Sequence, residues 1–196
     1  MKEKFAKVVR IISVPPVMAL ALALSVYFGK EAVFADVKDL WLTVFFLSVL
    51  PALAYPISYL LPSLKKQGRE GQRNFAFLMT AVSYPLLTLY AVITGGAGFL
   101  LIAFTYLLSL VVLLLMNKGF RLRASGHACS ATGPIVLICY FIGFKAILWG
   151  LLLYALIFWA SLVTKRHTAS ELIWGSLASI IAFLLSLLLL FGFGRL

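Results

Sequence analysis

The sequence predicts an all-α protein, a polytopic bundle of six to seven transmembrane helices in one domain spanning 1–196, and three observations carry that prediction. First, 63% of its 196 residues are hydrophobic and 12% charged, against roughly 45–50% and 25% in soluble domains. Second, mean hydropathy is +1.08, and a chain this short has too little interior to hide so much apolar surface from water. Third, the apolar residues run in blocks near the ~20 residues that carry a helix across a bilayer.

A water-soluble globule, a disordered chain and a disulfide-stapled secreted domain are excluded by the same numbers. Cys129 and Cys139 share one apolar stretch without metal-ligand spacing, and they read as small hydrophobes. In a soluble protein a net charge of +11 would suggest nucleic acid. In a membrane protein it bears on sidedness, so the bilayer is the expected partner and nucleic acid is not.

Seven segments satisfy the length rule. The first, 11–29, holds Pro15 and Pro16 and continues with no small-residue cleavage site, which argues against a cleaved signal peptide. It is expected to be the most peripheral helix. The second, 40–61, contains Pro51 and Pro56, and the third, 75–94, contains Pro85; neighbouring helices can re-satisfy the carbonyls that prolines free. The fourth, 98–116, and the seventh, 172–193, hold no charge. Links at 94–98 and 144–146 are barely turns, so the third and fourth segments, and the fifth (128–144) and sixth (146–163), form antiparallel hairpins. Trp41, Trp159 and Trp174 fall near segment ends, where indoles anchor at the interface. Buried polar residues that would mark a transport path are not evident in the fourth or seventh segment.

Polar sequence collects at 1–10, 63–74, 117–127 and 164–171. With seven crossings all four lie on one side, which then carries 13 of the 17 Lys and Arg; Lys30, Lys38, Lys145 and Arg195 lie opposite. The excess of positive charge places that side, with the N-terminus, in the cytoplasm of a multi-pass cell-membrane protein.

Both histidines fall in these basic segments, each where a loop becomes a helix. At Ala124-Ser125-Gly126-His127, unpaired N–H groups, a hydroxyl and a helix dipole converge as they do at anion sites. Ser125 as a plain N-cap and Gly126 as a joint is the other reading. Glu171 follows His167 by four, so a shared helix face would let its carboxylate take Nδ1–H and leave Nε2 free to attack. It would otherwise be a solvated acid paired with Lys165 or Arg166. Lys66 and Arg73, with Lys65 and Arg69 near them, suit a phosphate, or the anionic headgroups that polybasic loops ordinarily touch.

Taken in order, Lys66-x6-Arg73-Asn74, Ala124-Ser125-Gly126-His127 and His167-x3-Glu171 resemble the three signature blocks of the type 2 phosphatidic acid phosphatases, K-x6-RP, PSGH and SR-x5-H-x3-D. The family shares its core with vanadium haloperoxidases. The blocks cover about 66–175, and the implied phosphatase core covers about 62–193. This chain departs from the pattern at Asn74 and Ala124, where proline is usual, at Glu171 for Asp, and at Ser161, where the family has arginine. HTASELIWG also resembles a subgroup of small prokaryotic members.

The resemblance implies a metal-independent lipid phosphatase without a cofactor. His167 would be the nucleophile that becomes a phosphohistidine, Glu171 its orienting group and His127 the general acid. Lys66, Arg73, Ser125 and Gly126 would hold the phosphoryl oxygens, with Arg121, Arg123 or Arg166 in place of the missing arginine. The substrate would be a lipid phosphate of the phosphatidic acid, phosphatidylglycerophosphate or polyprenyl phosphate class. The competing expectation is a catalytically degenerate membrane protein that binds anionic lipid or assembles with a partner.

Overall fold

The computed structural model describes residues 1–29 and 33–195, with the Arg69 side chain excepted. Lys30 and Glu31, which entered the charge reading, therefore lie outside the described residues. Within them the chain is helical and contains no strand. In order come α1 (Lys2–Ile12), α2 (Pro15–Gly29), α3 (Val37–Val44), a π-helical turn (Phe45–Val49), α4 (Leu50–Leu60), α5 (Pro62–Lys66) and α6 (Gly68–Thr94). After these come α7 (Ala97–Leu114), a second π-helical turn (Leu115–Gly119), α8 (Gly126–Ile142), α9 (Phe144–Val163) and α10 (Ala169–Gly192).

Local chemistry sets many of these boundaries. Pro15 and Pro62 open α2 and α5, where the missing N–H costs nothing. Asp36 caps α3 by accepting the Lys38 N–H at 3.1 Å. Gly143, at φ 87°, breaks the chain between α8 and α9, a conformation that a side chain resists.

Five helical stretches are long and apolar enough to cross a membrane: Val37–Leu60, Glu70–Thr94, Ala97–Gly119, Phe144–Val163 and Ala169–Gly192. The chain is therefore multi-pass in character. α1 and α2 qualify only as a pair bent by 60° at the Ser13–Val14 break, and α8 is apolar but short. At 17 residues α8 measures about 25 Å, less than the ~30 Å hydrocarbon layer. Helices nevertheless cover all seven expected segments.

Contacts define two ends. At one, Ser13 meets His127, Arg10 meets Thr164, and the Ser125 N–H donates to the Glu171 carbonyl. At the other, Gly29 abuts Ile142, Gly98 abuts Val33, and Tyr90 donates to Asp39. α2 and α8 therefore run from end to end like the longer helices. The expectation of a peripheral first segment is corrected here. Leu22, Ala23 and Val26 are fully buried because α2 packs on α8 and the first π-helical turn.

α7 and α10 make the most extensive helix pair, and α8 also lies along α10. Small residues permit this closeness. Ser109 meets Ser179 at 3.4 Å, while Ser176 meets Thr132 at 3.1 Å and Tyr154 at 2.8 Å. The fourth and seventh segments thus do hold buried polar groups, contrary to the sequence reading. Ser109, Ser176 and Ser179 bond across helices, as hydroxyls between membrane helices do, whereas Thr105 Oγ1 and Tyr106 Oη have no partner among the described residues.

Candidate functional site

His167 is the last residue but one before α10, and it pairs with Glu171 through the helix cap rather than across a helix face. Thr168 Oγ1 accepts the Glu171 N–H at 3.2 Å while Glu171 Oε2 accepts the Thr168 N–H at 3.3 Å, a reciprocal capping box. The same Oε2 lies 3.1 Å from His167 Nδ1. On the far side of the carboxylate, Arg123 Nε stands 3.5 Å from Oε1. A carboxylate only accepts, so Nδ1 carries the proton and Nε2 keeps its lone pair. The Glu171 side chain, 16% exposed, is fixed by the helix terminus, by Arg123 and by the imidazole it orients.

Opposite it, α8 begins at the Ser-Gly-His turn. Ser125 is 2% exposed and caps α8, its Oγ accepting the Ala128 N–H at 3.3 Å. Its own N–H donates to the Glu171 carbonyl at 2.8 Å, which locks the turn to α10. The hydroxyl thus accepts within the fold and keeps its own O–H to donate. Gly126 is exposed, and neither its N–H nor that of His127 has an acceptor among the described residues. These are the donors that a helix N-terminus offers an anion.

The Ser125 turn reaches α10 only because Gly175 has no side chain. A Cβ at Gly175 would overlap the Ser125 carbonyl oxygen, and neither backbone can yield cheaply. Gly175→Ala is expected to destabilise the protein by about 1–3 kcal/mol. By shifting the Ser125–His127 turn, it should also lower any turnover at the site about tenfold to a hundredfold. Thermal unfolding and turnover measured on one detergent preparation check both effects.

His127 precedes the apolar stretch of α8, with its Nε2 3.2 Å from Ser13 Oγ. Burial, then nearby Arg10 and His167, push its pKa down to about 4. The ring is therefore neutral at pH 7. That Arg10 and His167 both act on it places the two histidines and this arginine in one electrostatic neighbourhood.

Sequence reasoning missed Arg10, Ser13 and Thr164. Arg10 Nη1 donates to Thr164 Oγ1 at 3.1 Å, and Thr164 ends α9 three residues before His167. Arg10 also lies within the field of Arg166. The signal was present in Phe5, Val8, Val9 and Ile12, the spacing of an amphipathic helix. The run was treated instead as a polar tail.

The remaining expected residues are placed less closely. Arg123 joins the cluster through Glu171, with 89% of its side chain exposed. Arg121 is exposed in the loop before α8. Ser161, where the resembling family has arginine, is fully buried, with its hydroxyl donating to the Ile157 carbonyl. Lys66 and Arg73 are exposed at the N-terminal end of the α5–α6 region, whose main neighbours are α4 and α7. Among the described residues, no hydrogen bond or ion pair joins either to the histidine cluster. No family model, curated protein or solved structure matches this chain.

Proposed function

We propose that this protein is an integral-membrane lipid phosphate phosphatase that works through a phosphohistidine. The observation that carries the reading is the His167–Glu171 pair, whose carboxylate holds Nδ1–H and leaves the Nε2 lone pair free beside a second histidine. His167 Nε2 attacks phosphorus and the bond from phosphorus to the lipid oxygen breaks. The leaving alkoxide takes a proton from His127. Water, deprotonated by His127, then attacks the phosphohistidine, which returns His167 and releases inorganic phosphate. The N–H groups of Gly126 and His127, with Arg123, draw charge from the phosphoryl oxygens as it redistributes. No step uses a metal ion or a cofactor.

The substrate follows from position. The cluster lies at one end of a bundle that holds five membrane-length helices, and in this reading that end sits at the depth of lipid headgroups. A phosphomonoester or diphosphate of the phosphatidic acid, phosphatidylglycerophosphate or polyprenyl class suits that depth. All seven segments cross in this reading, and the basic end faces the cytoplasm. A second reading, a degenerate membrane protein that binds anionic lipid or a partner, draws on the isolation of Lys66 and Arg73 and on the buried serine at 161.

Phosphate release from a panel of lipid phosphates in detergent, with EDTA present, tests the first reading. Release from at least one lipid, unchanged by the chelator and absent with glycerol 3-phosphate, is the expected result. Release from none moves the protein to the binding class.

A further inference from the structure

α1 carries a feature that the catalytic reading leaves unused. Its apolar residues Phe5, Val8 and Ile12 are more than half exposed, while Ala6 and Val9 are buried against Ile157 and Ala160 of α9. Such a helix lies at an interface with its apolar side in lipid. What α1 delivers there is Arg10 and Ser13, which grip the two halves of the histidine cluster. Ser13 Oγ reaches His127 Nε2 at 3.2 Å, and Arg10 Nη1 reaches Thr164 at 3.1 Å. One turn of α1 thus bridges the loops that present His127 and His167.

Charge then identifies what is missing. Among the described residues, Arg10 and Arg166 have no carboxylate within ion-pair distance, and Glu171, paired to Arg123 and His167, is the one acid bonded to the histidine cluster; Glu3, on the same helix as Arg10, pairs with Lys7. Arg10 is half-buried and stands in the field of Arg166 and His127. Three guanidinium groups against one carboxylate leave an excess of two positive charges. Held like charges repel, and Thr164 takes up one N–H of Arg10, which leaves the rest of its five donors open toward solvent and available to an anion. A phosphoryl dianion would neutralise that excess and take up the donors in the planar geometry that guanidinium offers.

We infer that Arg10 is a phosphoryl-binding residue of this site, supplied from the amphipathic N-terminal helix in place of an arginine from α9. Thr164 holds the guanidinium at one edge and leaves the rest for the anion. The inference rests on the phosphatase reading only for the identity of the anion.

The test is the affinity of the purified full-length protein in detergent for inorganic phosphate and for a short-chain phosphatidic acid, followed by calorimetry. Arg10→Gln is expected to weaken both about tenfold to a hundredfold, the size expected for losing a charged hydrogen bond. Arg10→Lys should recover part of the loss, and Lys4→Gln on the same helix should change neither. Equal affinity in Arg10→Gln and wild type overturns the inference, as does a loss on the lipid with none on inorganic phosphate. So does a wild-type protein that binds neither ligand. Should Arg10→Gln misfold, Thr164→Val serves instead; it keeps the arginine but frees it from its anchor, so an unchanged affinity there overturns the inference as well. Arg10-dependent phosphate binding without lipid hydrolysis would sink the phosphatase reading and leave this site standing. Hydrolysis with Arg10-independent binding would do the reverse.

Discussion

Replacing His167 by alanine is expected to lower phosphate release from the best lipid substrate on the order of 10³-fold or more, to the assay background. The size follows from removing the nucleophile itself, since the groups around it have nothing left to activate. A phosphoenzyme trapped by rapid alkaline quench, in which the phosphorus–nitrogen bond survives, should disappear with it. Glu171→Gln separates orientation from chemistry. The amide oxygen can still accept the Thr168 N–H that now reaches Oε2 at 3.3 Å, so the α10 cap survives. The same oxygen still accepts the Nδ1–H of His167, so the ring keeps its tautomer, but the amide carries no charge to stabilise the imidazolium that forms as Nε2 bonds phosphorus. A loss of about 10²–10⁴-fold with little change in melting temperature is expected, by the logic of a carboxylate that stabilises a catalytic imidazolium. Full activity in His167→Ala would end the phosphohistidine mechanism whatever the substrate.

The parts of this molecule that show in the sequence are those governed by one-dimensional rules. Apolar blocks such as 98–116 and 172–193 announce helices because a bilayer accepts little else, and the structure puts α7 and α10 there. His167 and Glu171 were legible as a pair from their spacing alone. Their geometry was not, because His167 sits ahead of the helix and the contact runs through the Thr168 cap. The role of α1 was hidden for a different reason. Ser13, 114 positions before His127, meets it where α2 packs on α8, and no periodicity encodes that neighbour. Ser125 illustrates the reverse. Both its readings, cap and anion ligand, were legible, and the structure shows the cap, with the Ala128 N–H on Oγ, which leaves the O–H free for the other. Lys66 and Arg73 matched a motif by order, while the main neighbours of α6 are α4 and α7, a placement that order alone does not encode.

His127 yields a test that distinguishes an acid from a merely structural histidine. Buried beside Arg10 and His167, its pKa is about 4, so at neutral pH it is not the imidazolium that a general acid needs to be. An arriving phosphoryl dianion reverses that bias, since its charge offsets Arg10 and His167 and favours the imidazolium. Binding should therefore take up a proton, which calorimetry in buffers of different ionisation enthalpy detects. His127→Ala is expected to cost about 10²–10⁴-fold on an alkyl phosphate, whose leaving alkoxide needs protonation, and far less on p-nitrophenyl phosphate, whose phenolate leaves unaided. Equal losses on both would mean that His127 only supports the fold. The same shift sets a stability profile whose sign is fixed. Because the folded value lies below the ordinary 6.5, the unfolded chain binds the proton first. The penalty is thus absent above about pH 6.5 and grows as pH falls toward 4. Melting temperature in detergent should drop across that window in the wild type, and His127→Asn should flatten the drop while leaving the neutral-pH value nearly unchanged, because only the neutral ring's bond to Ser13 is lost there.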